Sequence, residues 1–391
     1  MFSSRFPPDF QPNRLTRAVE AARRAGTPIL DLTVSNPTDA GFRYPPEIVS
    51  AFEDPRMLRY EPTPAGLPEA RAAVARYYAA RGVMVDPERI QLTASTSEAY
   101  AYLFKLLANP GDHVLVPRPS YPLFDCLAAM ESIELRSYSL SYDGVWSIDF
   151  DALTAAITNR TRAVILVNPN NPTGSFLKRA ELERLAPLCA ERRIALISDE
   201  VFSDYGFTAD RERVTTLAAV EECLAFSMSG LSKIAGLPQM KLGWIVTAGP
   251  ASLRAPVRER LEWIADTYLS VGTPVQHGAA RLLAAGEPVQ QQIKQRTQAN
   301  LQFARNALAG SCANPLNVEG GWYVILQAPR IRTEEEWALE LLARSHLLVQ
   351  PGFFYDFESE AFLVISLLPE EAVFQAGITR LSRFLQGSSV Q

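Results

Sequence analysis

The chain has 391 residues, too many for one ordinary hydrophobic core and enough for two domains. It is 47% hydrophobic and 21% charged, a globular rather than a disordered composition. The net charge of −5 gives no electrostatic reason to expect nucleic acid or an anionic membrane surface as a partner.

The segment MFSSRFPPDFQPNRLTRAVE has no apolar run that could act as a signal peptide. No apolar stretch reaches the roughly 18 residues a membrane span needs, so the cytoplasm is the expected compartment. Cys126, Cys189, Cys223 and Cys312 lie far apart, form no C-x-x-C pair, and read as core thiols in a reducing compartment. His113, His277 and His346 show no ligand spacing, so no metal is expected.

From about residue 90, short apolar runs alternate with longer amphipathic stretches. IQLTAS at 90–95 predicts a strand, and SEAYAYLFKLLANPG a helix with Ala99, Tyr102, Leu103 and Leu106 on one face. HVLVP, IELRSYSL, AVILVN, IALISDE and CLAFSMS predict further strands, some separated by helical segments such as AELERLAPLCAERR. Continuous runs like AVILV suit strands buried on both faces, which gives an α/β fold with a mostly parallel central sheet flanked by helices. The last third reads as a helix over roughly 288–310, strands at WYVIL and FLVISLL around a helix near 333–346, and a final helix at about 370–386. That order predicts a smaller α+β domain, formed by 1–40 and 286–391, beside a large domain at 41–285.

Ligands of open α/β sheets bind at the carboxyl ends of the strands, so the polar residues after each apolar run are candidates. After IQL come Thr93, Ala94, Ser95, Thr96 and Ser97, leading into a helix; free N–H groups and hydroxyls there offer a phosphate seat, or an ordinary helix cap. After AVILV, the segment Asn168-Pro169-Asn170-Asn171-Pro172-Thr173-Gly174 fixes a rigid turn that aims two adjacent amides. After IALIS, Asp199-Glu200 places carboxylates where burial demands a cation or hydrogen-bond donor. After CLAFSMS, a Ser-rich turn leads to Ser232 and Lys233; a lysine that loses hydration becomes a usable nucleophile toward an aldehyde.

Taken in order, YEPTPAGLPEARAAVARYY, LTASTSEA, PRPSYP, NPNNPTG, SDEVF, SGLSK with LPQMKLGW, and VQPGFFYDF resemble the class I/II aminotransferases of the fold-type I pyridoxal-phosphate enzymes. The resemblance spans nearly the whole chain. It implies the cofactor pyridoxal 5′-phosphate, bound as a Schiff base on Lys233, which also shuttles the proton of the reaction. It implies that Asp199 keeps the pyridine nitrogen protonated, making the ring an electron sink, and that Asn171 donates to its phenolic oxygen. Tyr121 matches the aromatic stacked on the ring, and Ser95, Thr96 and Ser97 the phosphate cup, with Ser232 and position 241 close to it. Tyr60 matches a tyrosine that reaches the phosphate of a neighbouring subunit, implying a homodimer with shared sites.

Three departures bear on function. Lys241 stands where the family usually has a phosphate-binding arginine, keeping the charge without its two-pronged geometry. Phe202 replaces a tyrosine donor to the phenolic oxygen, which predicts a raised pKa for the cofactor–lysine linkage. By alignment, Val364 occupies the place of the arginine that grips the substrate α-carboxylate; Arg43 is the first substitute and Arg118 a weaker one. The expected function is transfer of an amino group between a small-molecule amino donor and a keto acid. The alternatives are a pyridoxal-phosphate lyase or decarboxylase on the same scaffold, and a cofactor-binding regulator, for which no DNA-binding segment is expected ahead of the motif at residue 60.

Overall fold

The computed structural model describes residues 2–6 and 11–388. Its central sheet has eight strands, in the spatial order Ile90–Thr93, Gly243–Ala248, Ala225–Gly230, Ala195–Asp199, Thr161–Val167, His113–Arg118, Glu134–Tyr142 and Trp146–Ile148. Gly243–Ala248 runs antiparallel to both neighbours and Trp146–Ile148 antiparallel to Glu134–Tyr142; the other pairings are parallel. Val164, Ile165, Leu196, Ile197 and Phe226 are wholly buried, which is why these strands read as unbroken apolar runs. The sheet is thus the mostly parallel one expected, with helices on its faces.

Gly243–Ala248 is not among the predicted strands. Its apolar run is short and opens on the MKLGW turn, so periodicity gives it little signal. The helix expected from about 288 starts instead at Thr273 and continues to Ala307, through Pro288. Proline is at home in a first helical turn, so a pattern reading starts there. Here the packing of Ala279, Leu282 and Val289 in one core with Ala51, Val74 and Ala235 carries the helix through it. The expected domain division at 285/286 falls inside this helix.

A second, antiparallel sheet has the order Asn314–Pro315, Tyr323–Gln327, Phe362–Ser366, Gln350–Pro351. Leu15 and Val19 of the helix Arg14–Arg24, together with Leu32, pack with Leu301, Trp337, Leu363 and Phe374. Leu30–Asp31 pairs in parallel with Leu347–Leu348. Of the cysteines, Cys189 and Cys223 are buried, but Cys126 and Cys312 are exposed rather than core thiols. Cys126 sits on the open side of the helix Phe124–Glu131, which buries Phe124 and Ala128 instead, and Cys312 follows the long helix in a surface turn.

Candidate active site

Sheet register brings distant segments to one edge. Thr93 and Gly230 lie on either side of Gly243, and Asp199 lies between Val167 and Met228. The loops carrying Ser95, Asn171, Asp199 and Lys233 therefore leave the sheet at one edge, where an open α/β sheet binds its ligand.

Lys233 lies in the short helix Leu231–Ile234 and is half-buried. Its Nζ is 4.8 Å from the ring centre of Trp322 and 5.7 Å from that of Phe202. Burial pushes its pKa down to about 8, and the negative charge of Asp199 pulls the other way. The backbone of this turn is fixed from three sides. Tyr205 Oη donates to the Lys233 carbonyl at 2.6 Å, Gln290 Nε2 to the Ile234 carbonyl at 2.7 Å, and Tyr44 Oη to the Gly236 carbonyl at 2.8 Å. The long helix approaches so closely that a Cβ at Gly286 would lie 2.3 Å from Ala235 Cβ.

Asp199 ends its strand with few partners. Oδ1 accepts from the Val201 N–H and Oδ2 from the Tyr100 hydroxyl, each at 3.3 Å. Burial raises its pKa to about 6, only partly offset by those bonds and by Lys233. Glu200, next in the chain, is a structural carboxylate: it is buried and accepts from the Leu217 N–H at 2.8 Å and Ser227 Oγ at 2.9 Å.

The turn 168–174 divides its amides between structure and site. Asn168 donates to the Val214 carbonyl and accepts from the Leu177 N–H, while Asn170 Oδ1 accepts from the Thr173 N–H and hydroxyl. Asn171 is different: it is buried, and its Oδ1 has no hydrogen-bond partner among the described residues. Gly174 closes the turn at φ +68°, where a Cβ would lie 2.3 Å from the Gly320 carbonyl oxygen.

Ser95 is extended ahead of the helix Thr96–Leu107, and its hydroxyl caps the Glu98 N–H at 3.2 Å. Ala94 N–H goes to Glu98 Oε2, so the first-turn donors left over are those of Thr96 and Ser97. Ser232 is half-buried beside Lys233, while Lys241 is exposed, two residues before Gly243. A Cβ at Gly243 would lie 3.2 Å from the Ser95 carbonyl carbon, so Lys241 stands close to this helix start. Tyr121 is 45% exposed and close enough to Asp199 for that charge, with burial, to raise its pKa.

Tyr60 is exposed and Phe202 buried. Arg43 is also exposed, its backbone held by the Gln292 amide; Arg118 Nε stands 3.9 Å from Asp356. The sequence reading missed Tyr100, Tyr205, Trp322 and Gln290. Tyr100 and Gln290 lie on buried helix faces, and Tyr205 and Trp322 are buried in the connecting segments, where they look like core.

The model of the family "Aminotransferase class I and II" matches residues 27–377. The chain belongs to that family. Its relatives include the glutamate-pyruvate aminotransferase AlaA of Escherichia coli K12, 27% identical over 380 residues that cover 93% of this chain and 91% of the relative. The alanine aminotransferase of Mycobacterium tuberculosis H37Rv is 26% identical over 378 residues, covering 92% and 86%. Among solved structures, the alanine aminotransferase of Pyrococcus furiosus superposes with a TM-score of 0.89 over 99% of this chain and 100% of that one, at 23% identity, and shares the fold. The protein is therefore a pyridoxal 5′-phosphate-dependent aminotransferase, and its relatives favour transamination over the lyase or decarboxylase alternative.

The aminotransferase's own atoms fit that cofactor. An under-bonded carboxylate suits a cationic ring N–H. The partnerless buried atom of Asn171 is its acceptor Oδ1, so it is the Nδ2 of the same amide that can donate to a ring oxygen. Uncapped N–H groups at a helix start suit a phosphate.

Proposed function

We propose that Lys233 carries pyridoxal 5′-phosphate as a Schiff base and moves the proton in the transfer of an amino group from a small-molecule donor to a keto acid. The observation that carries this reading is the pairing of a half-buried lysine, its pKa held near 8, with the under-bonded carboxylate of Asp199. When bound, the cofactor supplies an electron sink for the bond broken at the substrate's amino carbon.

The remaining roles belong to the chain. Asp199 holds the proton of the ring nitrogen, and Asn171 donates its amide to the ring oxygen. Tyr121 covers the ring face. Ser95, Thr96, Ser97, Ser232 and Lys241 hold the phosphate, with Tyr60 reaching it from a second copy in a homodimer. Support for that last role is the exposure of Tyr60, 70% in the single chain, beside the still more open Leu58. We assign the enzyme to the cytoplasm; no helix among the described residues is long and apolar enough to cross a membrane. The two domains of this reading are 41–285, and 1–40 with 286–391, a division supported by the separate apolar core around Trp337.

Borohydride reduction followed by peptide mapping tests the anchor. The cofactor's mass is expected on the peptide containing Lys233 and on none in Lys233→Ala. Fixation on another lysine overturns the reading. A donor alone converts the bound aldehyde to the amine form in a transaminase, whereas a lyase or decarboxylase restores the starting absorbance.

A further inference from the structure

The second sheet presents one face to the active site. Directly opposed residues of antiparallel strands share a face, and so do residues two apart along a strand. Val364 is opposed to Ile325 on one side and Gln350 on the other, and Tyr323 is opposed to Ser366. Tyr323, Ile325, Gln350, Val364 and Ser366 therefore share a face. Their neighbours Val324, Leu363 and Ile365 point the other way, into the core around Trp337. Val364 packs instead in the cluster containing Trp322, Tyr323 and Tyr355.

That face borders the candidate site, with Tyr323 and Tyr355 both within electrostatic reach of Tyr121. Trp322, next to Tyr323, has its ring centre 4.8 Å from Lys233 Nζ. The rings of Tyr323 and Tyr355 are 6.4 Å apart, and the Tyr355 carbonyl accepts from the N–H of Ser120, the neighbour of Tyr121, at 2.9 Å. Every polar group offered is uncharged: the Tyr323 hydroxyl with Ser35 beside it, the Tyr355 hydroxyl bonded to Gln350 Oε1, and the Ser366 hydroxyl bonded to the Val34 carbonyl at 2.5 Å. Among the described residues no lysine or arginine stands on this sheet face. Val364, at the place of the usual carboxylate-binding arginine, is fully buried and leaves no opening for a cation to replace it from behind.

We propose that this wall reads an uncharged hydrogen-bonding group on the substrate. The donor class is a primary amine that carries an amide, hydroxyl or carbonyl substituent where an α-amino acid carries its carboxylate. This rests on Lys233 being the reacting amine. A carboxylate set against hydroxyls and an amide gives up hydration without meeting a counter-charge, whereas a neutral group exchanges water for Tyr323 and Gln350 at little cost. Keto acids then bind as acceptors through neutral hydrogen bonds alone.

The test compares L-alanine with L-alaninamide as donors to the holoenzyme in single turnovers, following the cofactor's absorbance. L-Alaninamide is expected to have the higher kcat/KM. Its α-hydrogen is intrinsically the more acidic, so the deciding quantity is the change in the alanine-to-alaninamide ratio in Val364→Arg, where that acidity cancels. The ratio is expected to rise on the order of thirtyfold or more. Because arginine at a buried position could prevent folding, Tyr323→Phe and Gln350→Leu are measured as well. Each is expected to raise KM for L-alaninamide about fivefold and that for L-alanine by a smaller factor. A parent enzyme with a strong preference for L-alanine, or neutral variants that weaken L-alanine more than L-alaninamide, overturns the proposal. If neither compound bleaches the absorbance and borohydride fixes the cofactor elsewhere, it is the assignment of Lys233 that fails.

Discussion

The Tyr100 hydroxyl donates to Asp199 Oδ2 at 3.3 Å, from a helix whose first residues, Thr96 and Ser97, form the candidate phosphate seat. One rigid element thus fixes two ends of the cofactor site. The tyrosine is held by edge contact with Phe124, ring centres 5.4 Å apart, so its hydroxyl has little freedom to look for another partner.

Removing that hydroxyl leaves Asp199 with the Val201 N–H and Lys233 as its only compensation, and its pKa rises further. A carboxyl ionised in a smaller fraction of molecules is less available to accept the proposed ring N–H. Tyr100→Phe is expected to lower kcat about fivefold, in keeping with the loss of one long charge-assisted bond worth roughly 1 kcal/mol. Its melting temperature should stay close to that of the parent. Steady-state kinetics at saturating cofactor, read beside a thermal melt, checks both halves.

Asp199 and Lys233 also set a pH dependence of the cofactor-free protein. A carboxyl whose folded pKa is about 6, above its ordinary value of 3.8, binds more protons in the native state. Its contribution therefore favours folding at low pH and is lost as pH rises through that window. A lysine lowered from 10.5 to about 8 acts oppositely at the alkaline end, where stability is recovered as pH rises from 8 to 10.5. Both costs are present together between about 6 and 8. Asp199→Asn is expected to stabilise the cofactor-free protein by ~1–3 kcal/mol at pH 8 and by little at pH 4, while abolishing turnover. Denaturant titrations at the two pH values test the sign, and equal effects at both would remove the argument.

Much of this arrangement was legible before any coordinates. Strands buried on both faces announce themselves as apolar runs, and the residues after them (Ser95, Asn171, Asp199, Lys233) stand out because polar groups there break the pattern. Supporting residues do the reverse. Tyr100 continues the apolar face of a helix and Trp322 heads an apolar run, so a hydroxyl or indole at the site reads as one more core aromatic. Gly243–Ala248 escaped because its apolar run is short, and the start of the long helix because Pro288 mimics a first turn. Which face of the second sheet borders the candidate site depends on pairing register, which one sequence does not carry.

Phe202 offers a spectroscopic test. It is buried against Trp322, ring centres 5.1 Å apart, and supplies no hydrogen bond where the family often has a tyrosine. On the proposed role of Asn171 as the single donor to the ring oxygen, the anionic form is less stabilised and the cofactor–lysine linkage keeps its proton to higher pH. Phe202→Tyr is expected to lower the midpoint of the yellow absorbance titration by about one unit. An unmoved midpoint would mean that Asn171 already satisfies the oxygen.

Lys241 gives the complementary test at the phosphate end. Its ammonium carries charge without the paired donors of a guanidinium, and it is exposed, so solvent screens much of its attraction. Lys241→Arg is expected to tighten cofactor binding about three- to tenfold, with a smaller loss of affinity on adding salt. Equilibrium dialysis at two ionic strengths measures both.

Gly174 sets the geometry of Asn171 at a distance. Its backbone lies at φ +68°, and the N–H of the same residue donates to the Asn170 carbonyl at 2.8 Å, closing the turn that holds the partnerless amide. Gly174→Ala meets two obstacles at once. The left-handed conformation strains any side chain, and the new Cβ would stand 2.3 Å from both the Gly320 carbonyl oxygen and Val318 Cγ2. Backbone on one side and a packed valine on the other leave no room to yield cheaply, so the loop itself must move. The substitution is expected to cost about 2–4 kcal/mol of stability. Because the displaced turn carries Asn171, cofactor affinity should fall with it. Asn171→Ala separates the effects: it should weaken cofactor binding comparably with a much smaller loss in thermal stability, and a Gly174→Ala protein as stable as the parent would show that the turn tolerates the added carbon.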